Sequence, residues 1–290
     1  MANGIIIIDK PEGWTSQDVT AKLRGVFHTK RVGHGGTLDP MATGVLPVFV
    51  GRATRAASFC ESAEKEYVAQ LRLGLVTNTQ DTSGEVLSES PVSVTEEALL
   101  AILPRFTGRI SQIPPMYSAV KIGGKKLYEL ARKGQEVERA PRAITIHALE
   151  LLSGGGADYT LRVRCSKGTY IRTLCHDIGQ ALGCGGCMAG LRRTRAGSFT
   201  LAQALPLAGI TAHPGPEQLL LPVDSLFSQH PPLIVTLAQA QKLRCGAPVR
   251  DWHFSPGTYR VYGETGEFLL LGRVEGGVLT TIKSFFEVDA

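Results

Sequence analysis

Gly33-His34-Gly35-Gly36-Thr37-Leu38-Asp39-Pro40-Met41-Ala42-Thr43-Gly44, residues 33–44, sets four glycines around a single carboxylate. Glycine lets the backbone come close to a bulky partner. Pro40 holds the residue before it away from helix and toward extended geometry. The stretch therefore reads as a stiff loop that presents Asp39. The apolar run Val45-Leu46-Pro47-Val48-Phe49-Val50 follows, then Gly51-Arg52-Ala53-Thr54-Arg55.

Working outward, Ile5-Ile6-Ile7-Ile8 reads as a strand leading into Asp9-Lys10-Pro11. Thr15 and Asp18 have capping-box spacing, and Val19, Leu23, Val26 and Phe27 form one stripe, which predicts a helix over 15–27. Lys65 to Gly74 alternates, with Tyr67, Ala69, Leu71 and Leu73 on one face. Residues 77–84 form a polar turn, and Ser93 with Glu96 predicts the cap of a second helix. Asp158 to Cys165 alternates again. Thr169 opens a helix with Ile171, Leu174, Cys175, Ile178 and Leu182 on its stripe, and Gly183 ends it.

Residues 110–142 break this pattern. The segment is long, basic and aromatic, with Tyr117, Lys121, Lys125, Lys126 and Tyr128. Insertions of this length are functional or disordered, and the tyrosines argue against disorder. Basic and aromatic side chains together suit splayed RNA. A boundary is expected near His230-Pro231-Pro232, which divides the chain into 1–230 and a small β-rich module, 231–290. Short strands are expected there at Leu269–Gly272, 273–275 and 278–282.

Bulk properties narrow the function. The 290 residues carry a net charge of +5, which permits a polyanionic partner without demanding one. No run of about 18 apolar residues exists, so no membrane span is expected. The amino-terminal stretch has neither a basic n-region nor a small-residue cleavage site, and a cytoplasmic protein is expected. Cys184-Gly185-Gly186-Cys187 with Cys175 and His176 invites zinc, but Cys175 and His176 are adjacent and Cys175 lies on an apolar helical stripe. Reduced, packed thiols are the better reading, and no metal is expected.

The string from Gly33 through Arg55 resembles the signature of the TruB family of pseudouridine synthases. Gly4 through Pro11 resembles that family's opening strand, and Glu64-Lys65-Glu66-Tyr67 its tyrosine-bearing strand. Cys165 through Leu174 resembles its third motif, and Leu191-Arg192-Arg193-Thr194 its fourth. The resemblance spans roughly residues 3–205. It implies an α+β fold, a mixed and largely antiparallel sheet with flanking helices and a cleft across one face. The module at 231–290 would be a PUA-like RNA-binding domain.

The activity implied is isomerisation of uridine to pseudouridine in RNA, which needs no cofactor. Asp39 would be the catalytic carboxylate, and Arg172 the arginine that pairs with it. Tyr67 would stack on the uracil and take the C5 proton. Tyr170 would line the pocket, with Leu191 and Ile171 as its apolar walls. His34 resembles the residue that enters the RNA loop beside the expelled base. Lys10, Arg31 and the 110–142 insertion, Lys121 included, would hold phosphates. The long insertion and the lack of lysine-rich tails favour the bacterial type, which acts alone, as an expected monomer, on uridine 55 in the tRNA T-loop. An RNA-binding or folding module with vestigial machinery, and a subunit of a guide-RNA particle, stand as alternatives.

Overall fold

A computed structural model describes residues 2–251 and 253–286. Met1, Trp252 and residues 287–290 of the two expected domains lie outside them. The larger element is a ten-stranded mixed sheet. Its main path runs Leu205–Pro206, Gly4–Lys10, Thr43–Val50, Gly186–Ala196, Lys65–Leu73, Asp158–Cys165, Arg142–Gly155 and Gly108–Gln112. Two pairings along this path are parallel, Gly4–Lys10 with Leu205–Pro206 and Thr43–Val50 with Gly186–Ala196; the others are antiparallel.

The isoleucine run is apolar throughout because its strand is covered on both faces. Ile6 and Ile8 join Val19 and Leu23 of the helix Ser16–Val26 in the main core cluster. Ile5 and Ile7 join Phe49, Cys60 and Phe199 in a second cluster behind the sheet. That helix starts where the sequence places it: Thr15 and Asp18 form a complete capping box. The helix Glu96–Ile102 starts two residues later than Ser93 predicts, because Thr95 Oγ1 accepts the Ala98 amide and becomes the cap.

The chain after Pro231 builds a separate five-stranded sheet, Pro232–Val235, Gly257–Gly263, Phe268–Glu275, Val278–Ser284 and Val249–Arg250 in spatial order. The expected pieces 269–272 and 273–275 are one strand, Phe268–Glu275. Gly272, which suggests a break in the sequence, sits where its register against Val278–Ser284 shifts. Leu271 and Phe285 enter the second cluster, where Phe285 packs on Phe227 with ring centroids 5.7 Å apart. Among the described residues no helix is long and apolar enough to cross a membrane.

The insertion is rooted at a cross-strand pair, Gln112 opposite Arg142. Between them lie a two-stranded hairpin, Lys121–Ile122 with Lys125–Lys126, and the helix Leu127–Ala131. Tyr128 is held under Lys126 and Arg132, at 5.3 and 5.5 Å from its ring centroid.

Candidate active site

Asp39 lies in the loop joining two paired strands, Val32–His34 and Thr43–Val50. The backbone on either side of it is pinned. The Leu38 amide donates to Ser16 Oγ at 2.8 Å, and the Ser16 hydroxyl donates back to the Leu38 carbonyl at 3.2 Å. The Pro40 carbonyl accepts from the Gly13 amide at 2.9 Å and from Lys10 Nζ at 3.2 Å. Gly35 and Gly44 leave no room for a side chain. A Cβ on Gly35 would sit 2.8 Å from Cys60, and one on Gly44, at φ +99°, would sit 2.2 Å from the Arg193 carbonyl. The loop is fixed, and only the carboxylate is left to act.

Arg172 reaches that carboxylate from the first turn of the helix Ile171–Ala181. Its Nε lies 3.0 Å from Asp39 Oδ2, and its Nη2 lies 3.4 Å from Oδ1. The rest of the guanidinium is also engaged. Nη1 donates to the Thr79 carbonyl at 3.0 Å and faces Asp81 Oδ2 at 3.6 Å, while Nη2 donates to the Tyr117 carbonyl at 2.9 Å. The Arg172 side chain is 7% exposed, and that of Asp39 is 37% exposed. The acid thus faces outward and is oriented from behind by a buried cation, whose planar fork suits two-point contact with a carboxylate.

Tyr67 lies in the strand Lys65–Leu73 and packs into the main core cluster with Ala69, Leu71 and Leu73. Burial pushes its hydroxyl pKa up, and the Arg193 charge opposes this. Tyr170 caps the Arg172 helix, and Gln112 grips both of its peptide groups. Gln112 Nε2 donates to the Tyr170 carbonyl at 3.2 Å, and Gln112 Oε1 accepts the Tyr170 amide at 3.1 Å. Ile171 is buried in the main cluster, and Leu191 packs on it half-buried. His34 is half-buried, with its Nδ1 buried and unpartnered; burial and the Arg193 charge lower its pKa and favour the neutral ring.

Arg31 and Lys121 stand exposed, away from these contacts. Lys10 departs from the sequence reading. It is fully buried, and its ammonium is spent on the carbonyls of Pro11 and Pro40, so it secures the Asp39 loop instead of meeting a phosphate. Burial lowers its pKa to about 8, against the opposing pull of Asp39 and Glu12. Sequence reasoning passed over Ser16, Asp81, Gln112 and the individual part of Arg193. Asp81 stands in the polar turn 77–84 and Arg193 inside the Leu191–Thr194 motif, and neither local pattern singles the residue out.

Comparison with known proteins places the chain in a family. Residues 24–171 match the model described as TruB family pseudouridylate synthase (N terminal domain), and 172–228 that of the tRNA pseudouridylate synthase B C-terminal domain. The tRNA pseudouridine synthase B of Azoarcus sp. (strain BH72) is 45% identical over 281 residues, covering 96% of this chain and 93% of that protein. That of Pseudomonas fluorescens (strain Pf0-1) is 46% identical, covering 94% and 92%. A chain from the crystal structure of a Cbf5–Nop10–Gar1 complex superposes with a TM-score of 0.75 at 27% identity, covering 98% of this chain and 85% of that one. Fold and sequence together define an RNA-modifying isomerase of the pseudouridine synthase class. The chain belongs to the TruB family of pseudouridylate synthases.

Proposed function

We propose that this enzyme converts uridine to pseudouridine at position 55 in the T-loop of tRNA, without a guide RNA, with Asp39 as its catalytic carboxylate. The observation that carries the reading is the outward-facing Asp39 held by the buried fork of Arg172. The curated relatives are named for tRNA, at about 45% identity over nearly the whole chain, whereas the chain from the Cbf5–Nop10–Gar1 complex stands at 27%. The bond from C1′ to N1 breaks, the uracil turns, and C1′ joins C5. Asp39 permits the cleavage, and Arg172 holds both carboxylate oxygens in position beneath the nucleotide.

The target base must leave its stack, at a cost of a few kcal/mol. Stacking on Tyr67 returns about 1–3 kcal/mol, with neutral His34 filling the space left in the RNA loop. Tyr67 relays the C5 proton, taking it as its own passes on, and N1 of the turned base gains one, so the base keeps its proton count. Tyr170, Ile171 and Leu191 line the pocket. Arg31 and Lys121 hold phosphates, which supply salt-dependent affinity. Residues 1–230 form the catalytic domain and 231–290 a PUA-like RNA-binding domain, in a cytoplasmic monomer.

Tritium release from 5-tritiated uridine in a T-arm transcript, with no other protein present, tests this. The wild type should release label and Asp39→Asn should not. Equal release by both removes Asp39 from its role. Release only with a guide RNA and partner proteins would make the chain a particle subunit.

A further inference from the structure

Arg193 is 1% exposed, which makes it one of the largest fully buried side chains of the protein. Its guanidinium is met by carbonyls. Nε donates to Val45 at 2.7 Å, Nη2 to Gly36 at 3.1 Å and Nη1 to Thr37 at 3.4 Å. Gly36 and Thr37 precede Asp39, and Val45 follows it, so one side chain spans both limbs of the acid loop. Among the described residues, no carboxylate lies within ion-pair distance of this cation. Arginine stays charged even when buried, and a buried charge without a counter-ion lowers stability. A residue kept only for packing would be better as methionine.

The placement of Arg193 between two elements of the site suggests what the charge does. In the strand Gly186–Ala196 it is the register partner of Tyr67 on one side and of Gly44 on the other. Gly36 lacks the Cβ that would lie 3.6 Å from Arg193 Nη1, and Gly44 lacks the one that would strike the Arg193 backbone. Of the charges acting on the Tyr67 hydroxyl, that of Arg193 is the largest, ahead of Cys165 and Asp39. His34 and Lys65 also feel it: burial is the main cause that lowers the pKa of each, and Arg193 is a further one.

We propose that Arg193 is a positioning residue that ties both limbs of the Asp39 loop to the Tyr67 strand and, through its unpaired charge, favours an electron-rich Tyr67 oxygen. The inference rests on the roles given above to Asp39 and Tyr67. It makes the strand Gly186–Ala196 the member that holds the acid and the phenol in one frame. A relaying phenol passes through a state rich in negative charge on oxygen, and a fixed cation beside it stabilises that state without reorganising.

The test uses the full chain carrying Arg193→Met and Arg193→Lys. Folding is checked by thermal unfolding, and kcat and KM by tritium release from the T-arm transcript. Tyr67 ionisation is followed by fluorine NMR on 3-fluorotyrosine protein, its signal assigned with Tyr67→Phe. Arg193→Met should lower kcat by about 100-fold with KM little changed, and Tyr67 should ionise at higher pH than in wild type. Arg193→Lys, which keeps the charge but cannot reach three carbonyls, should leave Tyr67 ionisation near wild type and place kcat between the two. Unchanged Tyr67 ionisation in Arg193→Met overturns the electrostatic part, and wild-type kcat in Arg193→Lys overturns the clamp. If Arg193→Met does not fold, the lysine variant decides: lowered kcat with KM and Tyr67 ionisation held supports the proposal. An active Asp39→Asn would sink the catalytic reading instead, a result the Tyr67 signal cannot mimic.

Discussion

Arg172 stands between two carboxylates of different character. Asp39 is partly exposed, whereas Asp81 is buried and also accepts from the Thr79 and Ser83 hydroxyls and the Ser83 amide. Asp81 therefore balances the arginine charge from behind and fixes its fork. Replacing Asp81 by Ala leaves a buried cation with half its compensation and removes the carboxylate that accepts from Ser83, while Thr79 keeps the carbonyl of residue 81. Stability should fall by about 3–5 kcal/mol, read as a lower denaturant midpoint. Arg172→Lys should fold but lose most of its activity, because one ammonium cannot hold both oxygens of Asp39. Lys10 gives a pH signature. Its folded pKa, about 8, lies below that of an unfolded lysine, so between the two only the unfolded chain holds the proton. Stability should then rise with pH from 8 upward, and the gain is lost as pH falls through 8. Chemical unfolding of wild type and Lys10→Met across that range checks it: the wild type should gain on the variant as pH increases.

At the scale of elements, the Asp39 loop depends on the register of strands that close on it. Gly44 shows how tightly. Gly44→Ala adds a Cβ 2.2 Å from the Arg193 carbonyl at a φ of +99°, and backbone cannot swing aside as a side chain can. The pairing of Arg193 with Gly44 should break, with loss of both stability and label release. Thr15→Ala, which removes only a cap, should cost about 1 kcal/mol and leave the site assembled. The same contrast explains what was legible in the sequence. Alternation in Lys65–Leu73 and Asp158–Cys165 and the Thr15–Asp18 box are local patterns, and the structure repeats them. The cap at Thr95 and the continuous strand Phe268–Glu275 are not legible locally, because neighbouring residues offer equally good signals and tertiary pairing chooses between them. Arg193 and Lys10 look like surface charges until the sheet folds over them, since nothing local in a basic residue announces that carbonyls from distant loops will receive it.

For the whole molecule, the insertion is the part that joins outer surface to chemistry. Its root is Gln112, which grips Tyr170, and its Tyr117 carbonyl binds Arg172, so it reaches the back of the acid pair. Its tip carries the exposed Lys121 and Lys125. A polyanion drawn to the tip would engage the same segment that touches Arg172. Binding and chemistry can still be separated, because the tip lysines themselves do not contact Asp39 or Arg172. Lys121→Ala with Lys125→Ala should raise the Kd for a T-arm RNA. If both lysines meet phosphates, the slope of log K against log salt should become shallower by about 0.7–0.9 for each lost contact. The single-turnover rate at saturating RNA should hold near wild type. An unchanged salt slope would mean that these lysines face solvent in the complex. A lost single-turnover rate would mean instead that the tip pulls on Tyr117 and, through it, on the guanidinium that orients Asp39.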